Sequence, residues 1–282
     1  MSGTLYLCAT PIGNLEDMTF RVVRTLREAD VIAAEDTRNS IKLLNHFEIS
    51  TPMTSYHEHN RYDKGRELIA RLLAGENVAL ITDAGMPGIS DPGETLVRMA
   101  YDAGVPVTVL PGACACVTAL VLSGQPTRRF CFEAFLPTER KEREEALAGL
   151  RNETRTIVLY EAPHRLAKTL RELAEHLGAE RSVSVARELT KKHETVVRTT
   201  LAEAAAHYEA EAARGECVLV IAGRDPAELR QEARQEWEKL TLQEHMEYYL
   251  AQGLDRKEAM KAVAKDRNMG KREVYQGLLE NG

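Results

Sequence analysis

The segment 82–93, Thr-Asp-Ala-Gly-Met-Pro-Gly-Ile-Ser-Asp-Pro-Gly, follows an apolar run and carries three glycines and two carboxylates. Glycine lets backbone amides approach a ligand where a side chain would collide, and ligands of open α/β sheets sit at the carboxyl ends of strands. Asp83 or Asp91 is placed to accept hydrogen bonds from an amine or a ribose of a nucleoside-like ligand. A tight turn closed by a helix cap, with Asp91-Pro92 ahead of Glu94, is the plainer reading, but one cap does not require so many turn-forming residues.

Four more clusters could carry chemistry, three of them at the ends of apolar runs. Glu35-Asp36-Thr37-Arg38 either reaches into a cleft or caps the helix that holds Lys42 and Phe47. Tyr56-His57-Glu58-His59-Asn60 offers a general base, an RNA-contacting aromatic or a metal pair; on a strand His57 and His59 would share one face, but no third ligand is evident and no metal is expected. Tyr160-Glu161-Ala162-Pro163-His164-Arg165 ends one strand and opens a helix, with Pro163 as ordinary helix-start chemistry. Beyond another apolar strand, the charged run 187–194 brings Arg187, Lys191 and Lys192 together, either to hold phosphates or as a solvated loop. Neither a G-x-x-x-x-G-K-[ST] loop nor a G-x-G-x-x-G after the first strand occurs, which argues against ATP hydrolysis and the usual dinucleotide fold.

Such loops need rigid supports, and apolar periodicity predicts them. A short strand over 4–9 breaks at Thr10-Pro11-Ile12-Gly13-Asn14, Phe20, Val23 and Leu26 recur at helical spacing, and 31–34 is a compact apolar strand. The pattern returns as a strand at 78–82, a helix at 94–103 and a strand at 105–110 ending at Pro111-Gly112, with parallel pairing the economical arrangement. Strands near 156–160, 182–186, 196–200 and 217–222 predict a second α/β domain. The charge-dense stretch 224–238 reads as a helical linker, and helices at 242–251, 255–266 and 271–279 as a trihelical bundle. The expected domains are 1–124 and 125–223, both α/β, then the linker 224–239 and a helical domain over 240–282.

A chain of 282 residues suits two medium domains with a small appendage. No apolar run approaches the roughly 20 residues needed to cross a bilayer, and the first seven residues lack a basic n-region, so a soluble, cytoplasmic protein with no membrane partner is expected. The five cysteines, an odd number without a CxxC pair, are expected to be reduced and buried. A net charge of -6 gives no global attraction to nucleic acid, so any RNA contact must come from local clusters. The stretch 255–272 is one, with seven basic residues against three acidic ones, a local charge of +4.

Taken in order, Ala9-Thr10-Pro11-Ile12-Gly13-Asn14-Leu15, Glu35-Asp36-Thr37-Arg38, Asp83-Ala84-Gly85-Met86-Pro87, Pro111-Gly112-Ala113, Glu161-Ala162-Pro163-His164-Arg165 and Arg187-Glu188-Leu189-Thr190 resemble the tetrapyrrole-methylase family, in its branch that methylates ribosomal RNA. The motifs span residues 4–223, and the tail resembles that branch's C-terminal extension. The resemblance implies an α/β fold of two domains with a cofactor cleft between them, a homodimer, S-adenosylmethionine (SAM) in the cleft, and a 2′-O-methylated cytidine in the 16S rRNA of the small ribosomal subunit as product. By motif, Pro11 opens the first cofactor loop, Asp83, Ala84, Gly85 and Ser90 line the central one, and Pro111, Gly112 and Ala113 supply a third. Tyr160, Glu161, Arg187, Glu188 and Leu189 fall at positions that face the adenosine. Members that act on tetrapyrroles carry a Gly-Gly-Asp-Pro type loop where this chain has Asp-Ala-Gly-Met-Pro.

The sulfonium of SAM already activates its methyl group, so the implied task is to align donor and ribose oxygen and exclude water. A ribose hydroxyl is a poor nucleophile, and a base is expected among Glu35, Asp36, His57 and Glu58. Arg38, Arg165 and Lys191 are expected to orient phosphates, and Lys261, Lys265, Lys271 and Arg272 to add RNA contact. Two rivals share the fold: a small-molecule methylase acting on tetrapyrroles, which needs no basic helical appendage, and a non-catalytic RNA-binding assembly factor, which would not turn over. Gly85→Val is expected to abolish SAM binding and leave the chain folded.

Overall fold

Short, wholly apolar segments become the buried central strands of the first sheet, and its edge strands are more mixed. The computed structural model describes residues 1–280 and begins with β1 (Leu5–Cys8), α1 (Phe20–Glu28), β2 (Val31–Ala34), α2 (Thr37–His46), β3 (Met53–Ser55), α3 (Arg61–Leu73), β4 (Val78–Ile81), α4 (Gly93–Asp102) and β5 (Val107–Leu110). The strands lie in the order β3-β2-β4-β1-β5, all parallel. Every residue of β2 and β4 is buried, because helices cover both faces: Leu68, Leu72 and Leu96 pack on one, Val22, Leu26 and Leu44 on the other. Local chemistry starts the helices, with the Thr19 hydroxyl accepting from Val22 N and the Asp36 carboxylate from Arg38 N.

The chain continues as α5 (Ala115–Ser123), β6 (Phe130–Phe135), α6 (Arg140–Leu150), β7 (Thr156–Glu161), α7 (Leu166–Leu177), β8 (Ser182–Arg187), β9 (Thr195–Thr200), α8 (Leu201–Ala210) and β10 (Cys217–Ile221). Their order is β6-β7-β10-β8-β9, and only β6 and β7 run parallel. β10 therefore runs antiparallel between β7 and β8, a long-range insertion that alternation of strands and helices does not reveal. Helices α6, α7 and α8 bury one face of this sheet, and α5, which follows the first sheet in sequence, covers the other through Cys116, Ala119 and Leu120. All of these elements belong to one compact unit, Met1–Leu150 with Arg155–Ala222.

The other unit takes Arg151–Thr154 and the chain from Gly223 onward. It contains α9 (Pro226–Glu238), α10 (Leu242–Ala251), α11 (Arg256–Asp266) and α12 (Lys271–Glu280). A capping box at Thr241 and Glu244 starts α10, the Asp255 carboxylate starts α11, and Met246, Ala259, Val263 and Val274 form a small core. His245 is fully buried, stacks on Trp237 at 4.0 Å and accepts at Nδ1 from Arg267 Nε at 3.1 Å. The Arg267 guanidinium also donates to the Trp237, Leu240 and Thr241 carbonyls, so this cation is interior and leaves the basic surface counted from the sequence. No helix among the described residues is long and apolar enough to cross a membrane.

Burial, and next the Arg267 charge, lower the pKa of His245, against the pull of Asp266 at 3.4 Å. Unfolded histidine titrates near 6.5, so the unfolded chain takes up the proton first; this contribution to stability is fully present above about 6.5 and is lost as the pH falls below it. Unfolding followed through the single tryptophan, Trp237, should show a lower midpoint at about pH 5.5 than at about pH 7.5, and the His245→Gln variant should lose most of that difference. Equal midpoints in the parent protein would refute the linkage.

Candidate functional site

Three loops at the carboxyl ends of β1, β4 and β5 are locked together. Thr10 N donates to Gly85 O at 2.9 Å, Gly85 N returns a bond to Thr10 O at 3.2 Å, and Thr10 Oγ1 donates to Thr82 O at 3.2 Å. Gly85 sits at φ +87°, and a Cβ there would meet Ile12 Cγ2 at 3.1 Å and Ala113 O at 3.4 Å. Gly112 in turn lies so close to Ala9 that a Cβ would come within 2.7 Å of its methyl. Within the central loop Asp91 accepts from the amides of Gly88, Ile89 and Gly93 at 2.7 to 3.1 Å, so its carboxylate closes the tight turn of the plainer reading, but the cap position of α4 falls on Pro92 and has no side-chain capping bond.

The second sheet presents the carboxyl ends of β7 and β8 to the same place. Because β10 is antiparallel to both, its first residues lie at that edge as well: Cys217 pairs with Glu161 on one side and Arg187 on the other. Between the two sets of loops is a cavity of about 460 Å³. Ile12, Glu35, Asp83, Ala84, Gly85, Met86, Ile89, Ser90 and Cys114 line it from the first set, and Phe135, Tyr160, Glu161, Leu189, Glu216, Cys217 and Val218 from the second. Among the described residues no Lys, Arg or His lines this cavity.

Its carboxylates differ in what they are free to do. Glu161 is 2% exposed and satisfied: Oε1 accepts from Ala162 N at 2.8 Å and faces Arg165 Nε at 3.1 Å, while Oε2 accepts from Thr169 Oγ1 at 2.6 Å. Arg165 donates besides to Leu136 O at 3.3 Å, so its guanidinium serves a buried carboxylate rather than a phosphate. Glu35 Oε2 accepts from Thr82 Oγ1 at 2.7 Å, and its Oε1 accepts no hydrogen bond among the described residues. Asp83 accepts from Asp36 N at 3.2 Å; burial, and next the Glu35 charge, raise its pKa.

Of the four base candidates only Glu35 lines the cavity. Asp36 caps α2, and hydrogen bonds from Arg38, side chain first, lower its pKa to about 2, so it is a poor proton acceptor; the same contact occupies Arg38. His57 and Glu58 lie between β3 and α3, away from the cavity. There Glu58 pairs with Arg61, His57 N donates to Asn60 Oδ1 at 2.8 Å, and His57 Nδ1 is buried without a partner. Among the described residues no group of three or more His, Cys, Asp or Glu is arranged to hold a metal ion.

The cofactor candidates divide in the same way. Asp83, Ala84, Gly85, Ser90, Tyr160, Glu161 and Leu189 line the cavity; Pro111, Gly112 and Ala113 are not part of its lining, to which the next two residues, Cys114 and Ala115, contribute. Pro11 lines an adjoining space of about 370 Å³ together with Asn39, Lys42 and Lys191. Arg187 lies over the Tyr208 ring and donates to Arg214 O at 3.3 Å, while Glu188 accepts from Lys191 Nζ at 2.9 Å and from Glu216 N at 3.2 Å. Lys191 is thus held between Glu188 and Glu216. Sequence reasoning quoted the loop that holds Met86 and Ile89 without assigning either to the ligand, and missed Phe135 and the start of β10, which only the antiparallel order of the second sheet brings to the site. None of the five cysteines forms a disulfide, and four are buried as expected, but Cys114 is only half-buried.

Residues 4–205 match the family of tetrapyrrole (corrin/porphyrin) methylases. The chain is 50% identical to ribosomal RNA small subunit methyltransferase I of Synechocystis sp. over 99% of this chain and 98% of that one. It is 49% identical to the protein of the same name in Bacillus subtilis, over 97% and 93% respectively. Among solved structures, uroporphyrin-III C-methyltransferase from Thermus thermophilus complexed with S-adenyl homocysteine is similar at a TM-score of 0.55 and 21% identity, over 77% of this chain and 97% of that one.

Proposed function

We propose that this chain, which belongs to the family of tetrapyrrole (corrin/porphyrin) methylases, binds SAM in the cavity between its two sheets and methylates the RNA of the small ribosomal subunit, at the 2′-hydroxyl of a cytidine in 16S rRNA. The observation that carries this reading is the cavity itself: acids and apolar side chains converge on it and, among the described residues, no basic one does. A phosphate-bearing ligand would meet repulsion there, whereas a sulfonium nucleoside with an ammonium group meets complementary charge. The volume falls within the roughly 300–1,000 Å³ of small-molecule sites. Asp83 would hold a polar group of the ligand, the backbone about Gly85 would approach it closely, and Tyr160, Leu189 and Val218 would flank its base.

Bound SAM supplies an electrophilic methyl group. The residues of this chain position and deprotonate its acceptor: the free Oε1 of Glu35 takes the proton of the ribose hydroxyl, Thr82 fixes the other carboxylate oxygen, and the interlocked loops exclude water. A cytoplasmic location follows from an rRNA substrate. For the implied homodimer, light scattering should give twice the chain mass; a monomer mass would refute it.

RNA is favoured over a tetrapyrrole because the likeness to the rRNA methyltransferases includes the helical tail, while the likeness to uroporphyrin-III C-methyltransferase covers only 77% of the chain. Lys261, Lys265, Lys271 and Arg272 are exposed there and form no ion pair among the described residues. Replacing all four with Glu should weaken binding of small-subunit rRNA and lower the slope of log K against log salt by roughly 3, at about 0.7 per phosphate contact. An unchanged slope would remove the tail from the RNA interface. The central experiment supplies radiolabelled SAM with methylase-deficient small subunits and, in a parallel reaction, with uroporphyrin III. Label on a cytidine ribose supports the proposal, label on a tetrapyrrole alone supports the small-molecule reading, and RNA binding without label supports an assembly factor.

A further inference from the structure

Cys114 and Cys116 stand apart from the other thiols. Their sulfurs lie 3.4 Å apart at the start of α5, where Cys114 occupies the N-cap without a side-chain capping bond and lines the cavity. Cys116 is 6% exposed, and its backbone N donates to the Tyr160 hydroxyl, another cavity wall, at 3.2 Å. Burial raises Cys8 to about 12 and Cys217 to about 11, which makes those thiols inert. Cys114 shifts the other way, lowered first by the Cys116 thiol and then by the amides of Val117 and Cys116. One thiol is therefore a reachable nucleophile, and a second waits within about 1.4 Å of the distance at which a disulfide forms.

We infer that Cys114 and Cys116 form a redox-active dithiol in the wall of the cavity, a modification site for small-molecule disulfides. The Cys114 thiolate attacks one sulfur of the disulfide, forming a mixed disulfide and releasing one thiolate. Cys116 then loses its proton to solvent and attacks the Cys114 sulfur, expelling the second thiolate. Two protein thiols become one S–S bond, and the small disulfide is reduced by two electrons to two thiols. The adduct on Cys114 fills cavity space, and closure pulls the Cys116 amide from the Tyr160 hydroxyl. Oxidation therefore weakens ligand binding, a consequence that rests on the cavity being the SAM site.

The test treats the full chain with cystamine, a small dicationic disulfide that suits the acidic lining, then reads the peptide holding residues 114–116 by mass spectrometry and SAM binding by calorimetry. The parent protein should lose two hydrogens in that peptide, reversibly with a thiol reductant. Cys116→Ser should stop at the cysteamine adduct on Cys114, and Cys114→Ser should remain unmodified at this site. SAM affinity should fall by about tenfold on oxidation, the equivalent of one lost hydrogen bond, and recover on reduction. A parent protein left unmodified, or an adduct on Cys116 in the Cys114→Ser variant, would overturn the dithiol. A closed disulfide with unchanged SAM affinity would overturn its effect on the cavity. Reduced protein that binds no SAM would instead sink the proposed function, while the mass readout still decides the thiol chemistry.

Discussion

Glu35→Gln should lower methyl transfer to rRNA by about 10²- to 10⁴-fold, the usual contribution of a positioned general base, with a far smaller change in SAM affinity. The amide has nearly the shape of the carboxylate and can still accept the Thr82 hydroxyl that now binds Oε2 at 2.7 Å, so the loop geometry is kept while the proton acceptor is removed. The alternatives give no comparable expectation: Asp36 is consumed by Arg38, and His57 and Glu58 lie off the cavity. Loss of the Glu35 charge also relieves Asp83, whose raised pKa owes part of its shift to that neighbour, so Asp83 should ionise at lower pH in the variant. Single-turnover kinetics across pH read both effects. Turnover that survives Glu35→Gln would mean that alignment of donor and acceptor suffices and that no base acts here.

The parts of the site written in local chemistry were legible in the sequence. Wholly apolar runs at 31–34 and 78–81 can only be buried strands, and the Gly- and Pro-rich run after Ile81 can only be a loop at a strand end. What stayed hidden depends on sequence-distant neighbours. β3 has three residues, too few for a periodicity, and α3 carries its apolar stripe among many charges. The contribution of Cys217 and Val218 to the cavity follows from β10 running antiparallel between β7 and β8, a choice no single segment encodes. Charge was visible, but its burial was not: Arg165 and Arg267 read as surface cations, yet one neutralises Glu161 and the other ties carbonyls around His245. The acidic lining is informative for the same reason, since among the described residues Glu35, Asp83 and Asp91 line the cavity without a cationic partner.

Gly85→Val should reduce SAM affinity by about 10²-fold or more. At φ +87° a side chain costs about 1–2 kcal/mol, more for a β-branched residue, and each 1.4 kcal/mol not recovered in the complex is a factor of ten. Sterics add to this, because the new Cβ meets Ile12 and Ala113 and its two methyl groups must find room where three loops already touch. Relief requires the loops to separate, which breaks the reciprocal Thr10 and Gly85 bonds and displaces three stretches of cavity wall together. The cores about Leu68 and Leu170 lie elsewhere, so circular dichroism should remain native. The melting temperature should nevertheless fall, by about 2–4 °C per kcal/mol for a unit of this size, a cost that the sequence alone did not predict. Gly85→Ala separates the two contributions: it keeps the backbone strain but omits the extra methyls, and should fall between parent and Val. Calorimetry that finds native SAM affinity in a folded Gly85→Val protein would detach the central loop from the cofactor and, with it, the convergence of both sheets on one ligand.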